Sequence, residues 1–141
     1  MSKGSTFIPD YDYDFFLLAI VTQLRDFQLA WLLNQQLNIA LRKETGFELF
    51  FKKKNTAVLF TWYRYIDEIN KHEIHLLGNK MQSEFILPEV KQADFILMIK
   101  GFASDELKKK VTEKIKALHQ IQTSVVLNPS DLKSKDNLIL E

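Results

Sequence analysis

Near the start of the chain a continuous apolar run is followed by a helical pattern. Residues 15–21 are all apolar and include aromatic and β-branched members, which favours a strand buried on both faces; the start of a long helix is the less favoured alternative. Between residues 24 and 37 the apolar positions, among them Phe27 and Trp31, recur at intervals of three and four, which predicts an amphipathic helix. Residues 39–42 then predict a return strand, so this part of the chain indicates a β-α-β unit.

A second unit of the same kind is predicted near the end of the chain. Residues 94–100 contain an unbroken buried-type strand, and Gly101 closes it. Ser104 is a predicted N-cap for a helix that runs to His119, because acidic residues fill the first turn and an apolar stripe follows. Residues 123–127 predict a terminal strand, and the chain after it is polar.

The middle of the chain has a different pattern. Short β-type runs are separated by short polar connections, which predicts an antiparallel meander. These runs are residues 47–51, 56–66, 73–77 and 81–87.

Together the elements predict an α+β fold, a single two-layer domain covering residues 1–141, with residues 1–12 and 130–141 as less regular ends. Its sheet is mixed but mostly antiparallel, with both helices on one face and two β-α-β units flanking the meander. The other face, in the region of Trp62, Tyr63 and Tyr65, then has to be covered by the tail, by a partner subunit or by a ligand. These three aromatic residues form the predicted interaction surface.

Composition narrows the classes of function. An apolar fraction of 46% excludes global disorder, and 19 basic against 18 acidic residues give no overall field that would attract nucleic acid or an anionic membrane. With no cysteine in the chain, disulfides and thiolate metal sites are excluded. We interpret the first residues as lacking a signal peptide, and the run at 15–21 is too short to span a bilayer, so a cytoplasmic protein is expected.

Two groups of residues invite a binding role. Lys52, Lys53 and Lys54 lie close to several aromatic residues, as in a nucleic-acid platform, but a solvated hairpin turn is the favoured interpretation. His72 and His75 are three apart, so on a strand they point to opposite faces and do not chelate one ion. We expect these histidines at the surface or at a strand edge, and we predict no metal and no cofactor.

The most informative stretch is a proline-containing turn that leads into the second buried strand. It reads Leu87-Pro88-Glu89-Val90-Lys91-Gln92-Ala93-Asp94-Phe95. Pro88 fixes the entry of the backbone, and the carboxylates of Glu89 and Asp94 can accept hydrogen bonds from turn amides or meet a nearby cation. An acid–base pair made of these two carboxylates is the less favoured alternative, since catalysis needs opposed environments in a cleft.

This nonapeptide resembles the signature of the IPExxxVDY family, a group of small bacterial proteins. The resemblance also covers residues 16–38 and 128–138. Three signature positions differ, with Leu87 in place of Ile, Ala93 in place of Val and Phe95 in place of Tyr. The resemblance implies an intracellular bacterial protein and carries over no catalytic residue.

Three functional hypotheses follow. The leading one is a non-enzymatic protein-interaction module, a homodimer that covers the aromatic sheet face and contacts an unknown protein partner. The alternative is a regulatory small-ligand-binding domain, because paired β-α-β units can place a pocket between sheet and helices. The third is an enzyme of unfamiliar type, for which Glu89 and Asp94 are the pair to mutate; the motifs of the common hydrolases and nucleotide-binding sites are absent from the chain.

Overall fold

The computed structural model of the protein describes residues 15–139. These residues form two α-helices and ten β-strands, with short 3₁₀ turns between some of them. The helices are α1 (Asp26–Leu37) and α2 (Asp105–Lys116). The strands are β1 (Phe16–Thr22), β2 (Arg42–Lys43), β3 (Phe47–Phe51), β4 (Thr56–Phe60), β5 (Trp62–Asp67), β6 (His72–Gly78), β7 (Lys80–Met81), β8 (Glu84–Phe85), β9 (Phe95–Gly101) and β10 (Ile121–Leu127).

Six of the strands form the central sheet, in the order β10-β1-β9-β6-β5-β2. Every neighbouring pair in this sheet is antiparallel. The two continuous apolar runs become β1 and β9, which lie side by side in the interior of the sheet, as expected for strands that are buried on both faces. The prediction of an α+β fold with a mainly antiparallel sheet is confirmed.

The predicted β-α-β units are present in a split form. Because all neighbours are antiparallel, strands separated by one other strand run in the same direction. Thus β9 and β10, which α2 connects, run parallel with β1 between them. Likewise β1 and β2, which α1 connects, run parallel, and the three strands β9, β6 and β5 lie between them. The return strand therefore never pairs with the strand it follows.

Both helices pack on the same face of the sheet. On α1 the buried residues are Leu29, Ala30, Leu33 and Leu37, and on α2 they are Val111 and Ile115. They meet every second residue of the central strands, such as Leu18 and Ile20 of β1 and Leu97 of β9. This layer is the larger of two hydrophobic clusters in the described part of the chain.

The opposite face of the sheet is covered by the chain itself. The β3–β4 hairpin contributes Phe47, Val58 and Phe60, and the C-terminal tail (residues 128–139) contributes Leu132 and Leu138, to a second cluster against Leu17, Ile96 and Met98. The sequence analysis predicts the tail as one of the segments that cover this face of the sheet. It does not predict the hairpin there, and with the hairpin in place no partner subunit is needed to bury this face.

Two of the predicted strands are wrong in the middle of the chain. The run at residues 56–66 is two strands, since β4 belongs to the covering hairpin and β5 to the central sheet, with Thr61 between them. The run at 81–87 contains a tight hairpin, in which Gln82 and Ser83 have positive φ angles of 51° and 69° between β7 and β8. Both breaks occur inside β-type sequence, without a glycine or proline to signal them.

Helix α2 begins as its sequence predicts. The Ser104 hydroxyl accepts a hydrogen bond from the backbone N–H of Leu107 at 3.1 Å, and Asp105 and Glu106 lie in the first turn. Of the helices in residues 15–139, neither is long and apolar enough to cross a membrane.

We predict that Gly101→Ala destabilises the fold by about 2 kcal/mol or more. Gly101 has φ of 92°, and a Cβ at this position would lie 2.7 Å from the carbonyl oxygen of Lys71. Chemical denaturation measures the free energy of unfolding. Phe102→Ala is the control, because that side chain is exposed and its removal should change the free energy by no more than about 0.5 kcal/mol. Equal effects of the two substitutions would contradict the prediction.

Candidate interaction surface and buried polar networks

The three aromatic residues of the predicted interaction surface do not share a face. Trp62 lies opposite Leu77 on the hairpin side of the sheet, whereas Tyr63 and Tyr65 lie opposite Leu76 and Ile74 on the helix side. The alternation of a strand separates neighbouring residues in this way. Trp62, Tyr63 and Tyr65 therefore do not form one interaction surface.

Tyr63 is buried under α1. Its hydroxyl donates a hydrogen bond to Oδ2 of Asp26 at 3.4 Å, and this carboxylate also meets the ammonium of Lys43. Burial, together with the negative charge of Asp26, raises the pKa of Tyr63. The residue fastens the start of α1 to β5.

Trp62 takes part in a buried polar network on the other face. Phe47 of the hairpin packs edge-on against its ring, with centroids 6.0 Å apart. The Trp62 Nε1–H donates to Nδ1 of His75 at 3.0 Å, and Nε2 of His75 lies 2.9 Å from Oε1 of Glu73. The indole has only a donor, so Nδ1 of His75 is the acceptor, and Nε2 carries the proton and donates a hydrogen bond to Glu73. These two hydrogen bonds satisfy both ring nitrogens of a neutral imidazole.

The neutral form of His75 is also the one that its surroundings favour. The side chain is 1% exposed, and desolvation lowers its pKa; Lys100 and Arg64 act in the same direction, while Glu73 opposes them. A proton on Nδ1 would face the indole N–H, donor against donor. His72 is buried as well, and β6 lies between β9 and β5, so the expectation that both histidines lie at the surface or at a strand edge is wrong. They occupy opposite faces of β6, as predicted from their spacing.

The proline-containing turn, which we call the signature turn (residues 87–95), is organised by a residue outside it. Asn79 is fully buried at the end of β6. Its Oδ1 accepts from the backbone N–H of Leu87 at 2.8 Å, and its Nδ2 donates to the carbonyl oxygens of Val90 and Ala93, both at 3.1 Å. Its backbone N–H also donates to the carbonyl of Asp94 at 3.0 Å. The sequence placed Asn79 in a polar connection and gave no sign of this role.

The four predicted residues of the turn fall into distinct places. Pro88 opens a 3₁₀ turn that ends at Val90, and Phe95 is buried at the start of β9. Glu89 reaches the tail, where its Oε2 accepts from the backbone N–H of Ser134 at 2.7 Å. Asp94 reaches the end of β1, where its Oδ2 accepts from the N–H of Thr22 at 2.9 Å.

Each carboxylate of the proposed acid–base pair is thus held by a backbone amide of a different, distant segment. For Glu89, burial is the largest single influence and raises the pKa, but backbone and Ser134 donors together outweigh it and hold the pKa below its usual value. A carboxylate kept ionised in this way is a hydrogen-bond acceptor at neutral pH. The geometry favours a structural role, in which Glu89 connects the turn to the tail and Asp94 connects it to β1.

Two exposed aromatic side chains lie on α1. Phe27 is 57% exposed and Trp31 is 64% exposed, one helical turn apart. They border an apolar groove of about 480 Å³, whose other lining residues are Leu24, Gln28, Leu32 and Gln120. We call these six residues the α1 groove.

The apolar pattern is misleading at these positions. Phe27 and Trp31 belong to the apolar positions that predict the amphipathic helix, whose apolar face is expected to meet the core. In the structure Leu29, Ala30 and Leu33 turn toward the sheet, and Phe27 and Trp31 turn away from it. Apolar side chains on both sides of α1 are the signal that marks the second, exposed face.

Comparison with models of known protein families finds no match, and comparison with curated proteins finds none either. Within residues 15–139 no group of three or more His, Cys, Asp or Glu side chains is arranged to hold a metal ion.

We predict that Asn79→Ala lowers the free energy of unfolding by about 3 kcal/mol or more. The substitution leaves the buried N–H of Leu87 and the carbonyls of Val90 and Ala93 without a partner, and each such group costs about 1–3 kcal/mol. Urea denaturation measures the change. Gln92→Ala removes an exposed amide from the same turn and should have an effect within about 0.5 kcal/mol. A near-neutral Asn79→Ala would rule out the organising role of Asn79.

A second prediction concerns pH. Because the pKa of His75 is lowered in the folded state, the stability due to its neutral form is complete above the unfolded pKa of about 6.5. As the pH falls below this value the unfolded chain takes up a proton that the folded chain refuses, so the free energy of unfolding decreases, by at most about 1.4 kcal/mol per pH unit. Urea denaturation at a series of pH values between 7.5 and 5 measures this slope.

The control for this experiment is chosen within the chain. His75→Gln keeps an acceptor and a donor but does not titrate, so its slope should be smaller than that of the wild type. His119→Gln makes the same replacement at an exposed position outside β6, and its slope is the one with which that of His75→Gln is compared. If His75→Gln retains the full slope, the acid sensitivity comes from other groups.

Proposed function

We propose that this protein is a non-enzymatic protein-interaction module of the bacterial cytoplasm, that it self-associates as a homodimer, and that it contacts a protein partner through the α1 groove. The observation that carries the proposal is the exposure of Phe27 and Trp31, at 57% and 64%, beside an apolar groove. The proposal also includes membership of the chain in the IPExxxVDY family, which the resemblance of the signature turn to the family motif supports.

Energetics support this choice of surface. An exposed tryptophan and phenylalanine one turn apart leave a large apolar area in water, and burying such area is worth about 25 cal/mol per Å². Tryptophan is among the residue types that most often dominate the binding energy of protein interfaces. The rest of α1 is already held by its buried side, so the outer side is free to serve a partner.

The polar residues of the groove suit a protein partner as well. Gln28 and Gln120 line the groove beside its apolar residues. The Oε1 of Gln28 already accepts from the backbone N–H of Arg25, and its NH₂ group can donate to a partner. None of the lining side chains from residues 15–139 is charged. An apolar centre with a small polar border is the usual composition of such interfaces.

The volume of the groove favours a second candidate, a regulatory small-ligand-binding domain. About 480 Å³ lies within the range of about 300–1,000 Å³ that small-molecule pockets occupy. A thermal-shift screen against apolar metabolites distinguishes the two, because a ligand at 100 times its dissociation constant adds about 2.7 kcal/mol of stability. A ligand that stabilises the wild type but not Trp31→Ala would favour this second candidate.

We predict that Phe27→Ala combined with Trp31→Ala strongly reduces capture of the protein partner without unfolding the protein. Both side chains are mostly exposed, so the circular dichroism and melting temperature should stay close to those of the wild type. Quantitative mass spectrometry of cross-linked complexes, purified from the native host, measures the partner. We expect its recovery to fall about tenfold or more, since losing two aromatic contacts costs at least about 1.4 kcal/mol.

The matched control is Phe102→Ala, which removes an exposed aromatic side chain far from α1 in sequence. It should retain the partner at the wild-type level. Equal recovery with wild type and the double variant would contradict the assignment of the α1 groove, and equal loss with the control would show an unspecific effect.

A further inference from the structure

The two edges of the central sheet are built differently. At one edge β2 has two residues, Arg42 and Lys43, and both are basic and exposed. A short, charged edge strand is a common means of preventing another strand from pairing there. At the other edge β10 has seven residues, and none of them is charged.

The exposed edge of β10 is regular and open. Its pairing with β1 shifts only between Ile121 and Thr123, and residues 123–127 are in continuous register. Val125 and Val126 are about half exposed, and no described strand pairs with the outer side of β10. Within residues 15–139 no strand therefore pairs with its outward N–H and C=O groups, which is the arrangement that sheet extension requires.

We propose that β10 is the homodimer interface, where it pairs antiparallel with β10 of a second copy of this chain and extends the six-stranded sheet into one of twelve strands. A two-fold axis between the two copies gives every interface residue the same partner in both directions. One residue near Ser124 then lies opposite its own counterpart.

The side chains of β10 are compatible with pairing against a second β10. In an antiparallel pair about a two-fold axis each side chain faces one from the same short set, so a charged strand would oppose like charges. The sequence Ile121-Gln122-Thr123-Ser124-Val125-Val126-Leu127 contains no charge to repel its copy. It is also rich in β-branched residues, which pack well across a strand pair.

This inference rests on the self-association in the proposed function and is independent of the α1 groove. It replaces the sheet-face dimer expected from the sequence, since that face is covered by the hairpin and the tail. If β10 is not the interface, the partner contact through Phe27 and Trp31 is unaffected, because the capture experiment tests it separately.

Charge substitution at the edge tests the dimer. Thr123 and Val125 are both exposed and lie on the same face of β10, so Thr123→Lys with Val125→Lys places like charges across the two-fold axis. The control is Ala57→Lys with Leu59→Lys, which adds the same charges at the same spacing to an exposed face of β4. Sedimentation equilibrium of the full chain measures the dissociation constant.

We expect the wild type and the β4 control to be dimers with the same dissociation constant. The β10 variant should dissociate at least about tenfold more readily, with unchanged circular dichroism. A wild type that is monomeric at high concentration overturns the inference. So does a dimer that the β10 and β4 variants weaken equally, or one that only Phe27→Ala with Trp31→Ala disrupts.

A second measurement guards against an effect of the lysines on folding. The chain has no cysteine, so a single introduced cysteine can form a disulfide only between two copies. Residues directly opposite in an antiparallel pair have Cα atoms about 4.5–5.5 Å apart, within disulfide range. We expect efficient cross-linking on mild oxidation for one of Thr123→Cys, Ser124→Cys and Val125→Cys, and none for Leu59→Cys.

Hydrogen exchange completes the test. In the dimer the outward amides of β10 should be protected, and dilution to monomer should release them. Protection that persists in a monomer would mean that another segment of the same chain covers this edge, and it would overturn the proposal. Absence of cross-linking at all three β10 positions would do the same.

Discussion

The side chain of Asn79 holds together the part of the protein on which the rest depends. It is one residue, fully buried, and its amide satisfies three backbone groups of the signature turn. Without it, that turn would carry unpaired polar groups into the interior, at a cost of about 1–3 kcal/mol each. This turn leads directly into β9, which pairs with β1. Its carboxylates accept hydrogen bonds from other segments, Asp94 from the N–H of Thr22 and Glu89 from the N–H of Ser134. One amide thus holds the turn from which Asp94 reaches β1 and Glu89 reaches the tail.

The central strands impose the second constraint. Because β1 and β9 are apolar on both faces, each face of the sheet needs a cover. The helices cover one face, and the hairpin and the tail cover the other. Several apolar side chains stay exposed after both faces are covered, among them Phe27 and Trp31 on the outer side of α1 and Val125 and Val126 on the edge strand β10. The functional proposals rest on these two places, because the first borders a groove and the second is a sheet edge.

Features that depend on neighbours in sequence could be predicted. The run that becomes β9, the apolar spacing of α1 and the Ser104 cap of α2 all follow from local rules of burial, periodicity and hydrogen bonding. Features that depend on distant contacts could not. The break at Thr61, the positive φ angles of Gln82 and Ser83, and the burial of His75 beside Trp62 arise when the chain leaves one layer for another. Phe27 and Trp31 show the same limit, since periodicity finds the apolar face of a helix but not which of two such faces meets the sheet.

The amino-acid sequence by itself determined the α+β class, both helices, the two buried strands and the turn that precedes the second of them. These depend on patterns spanning only a few residues, and local energetics are enough to specify them. The tertiary structure alone decided the strand order, the split β-α-β units, the separation of Trp62 from Tyr63, and the roles of Asn79, Glu89 and Asp94. The physical reason is that a buried polar group takes whatever partner the packed chain brings within about 3 Å, and that partner lies far away in sequence.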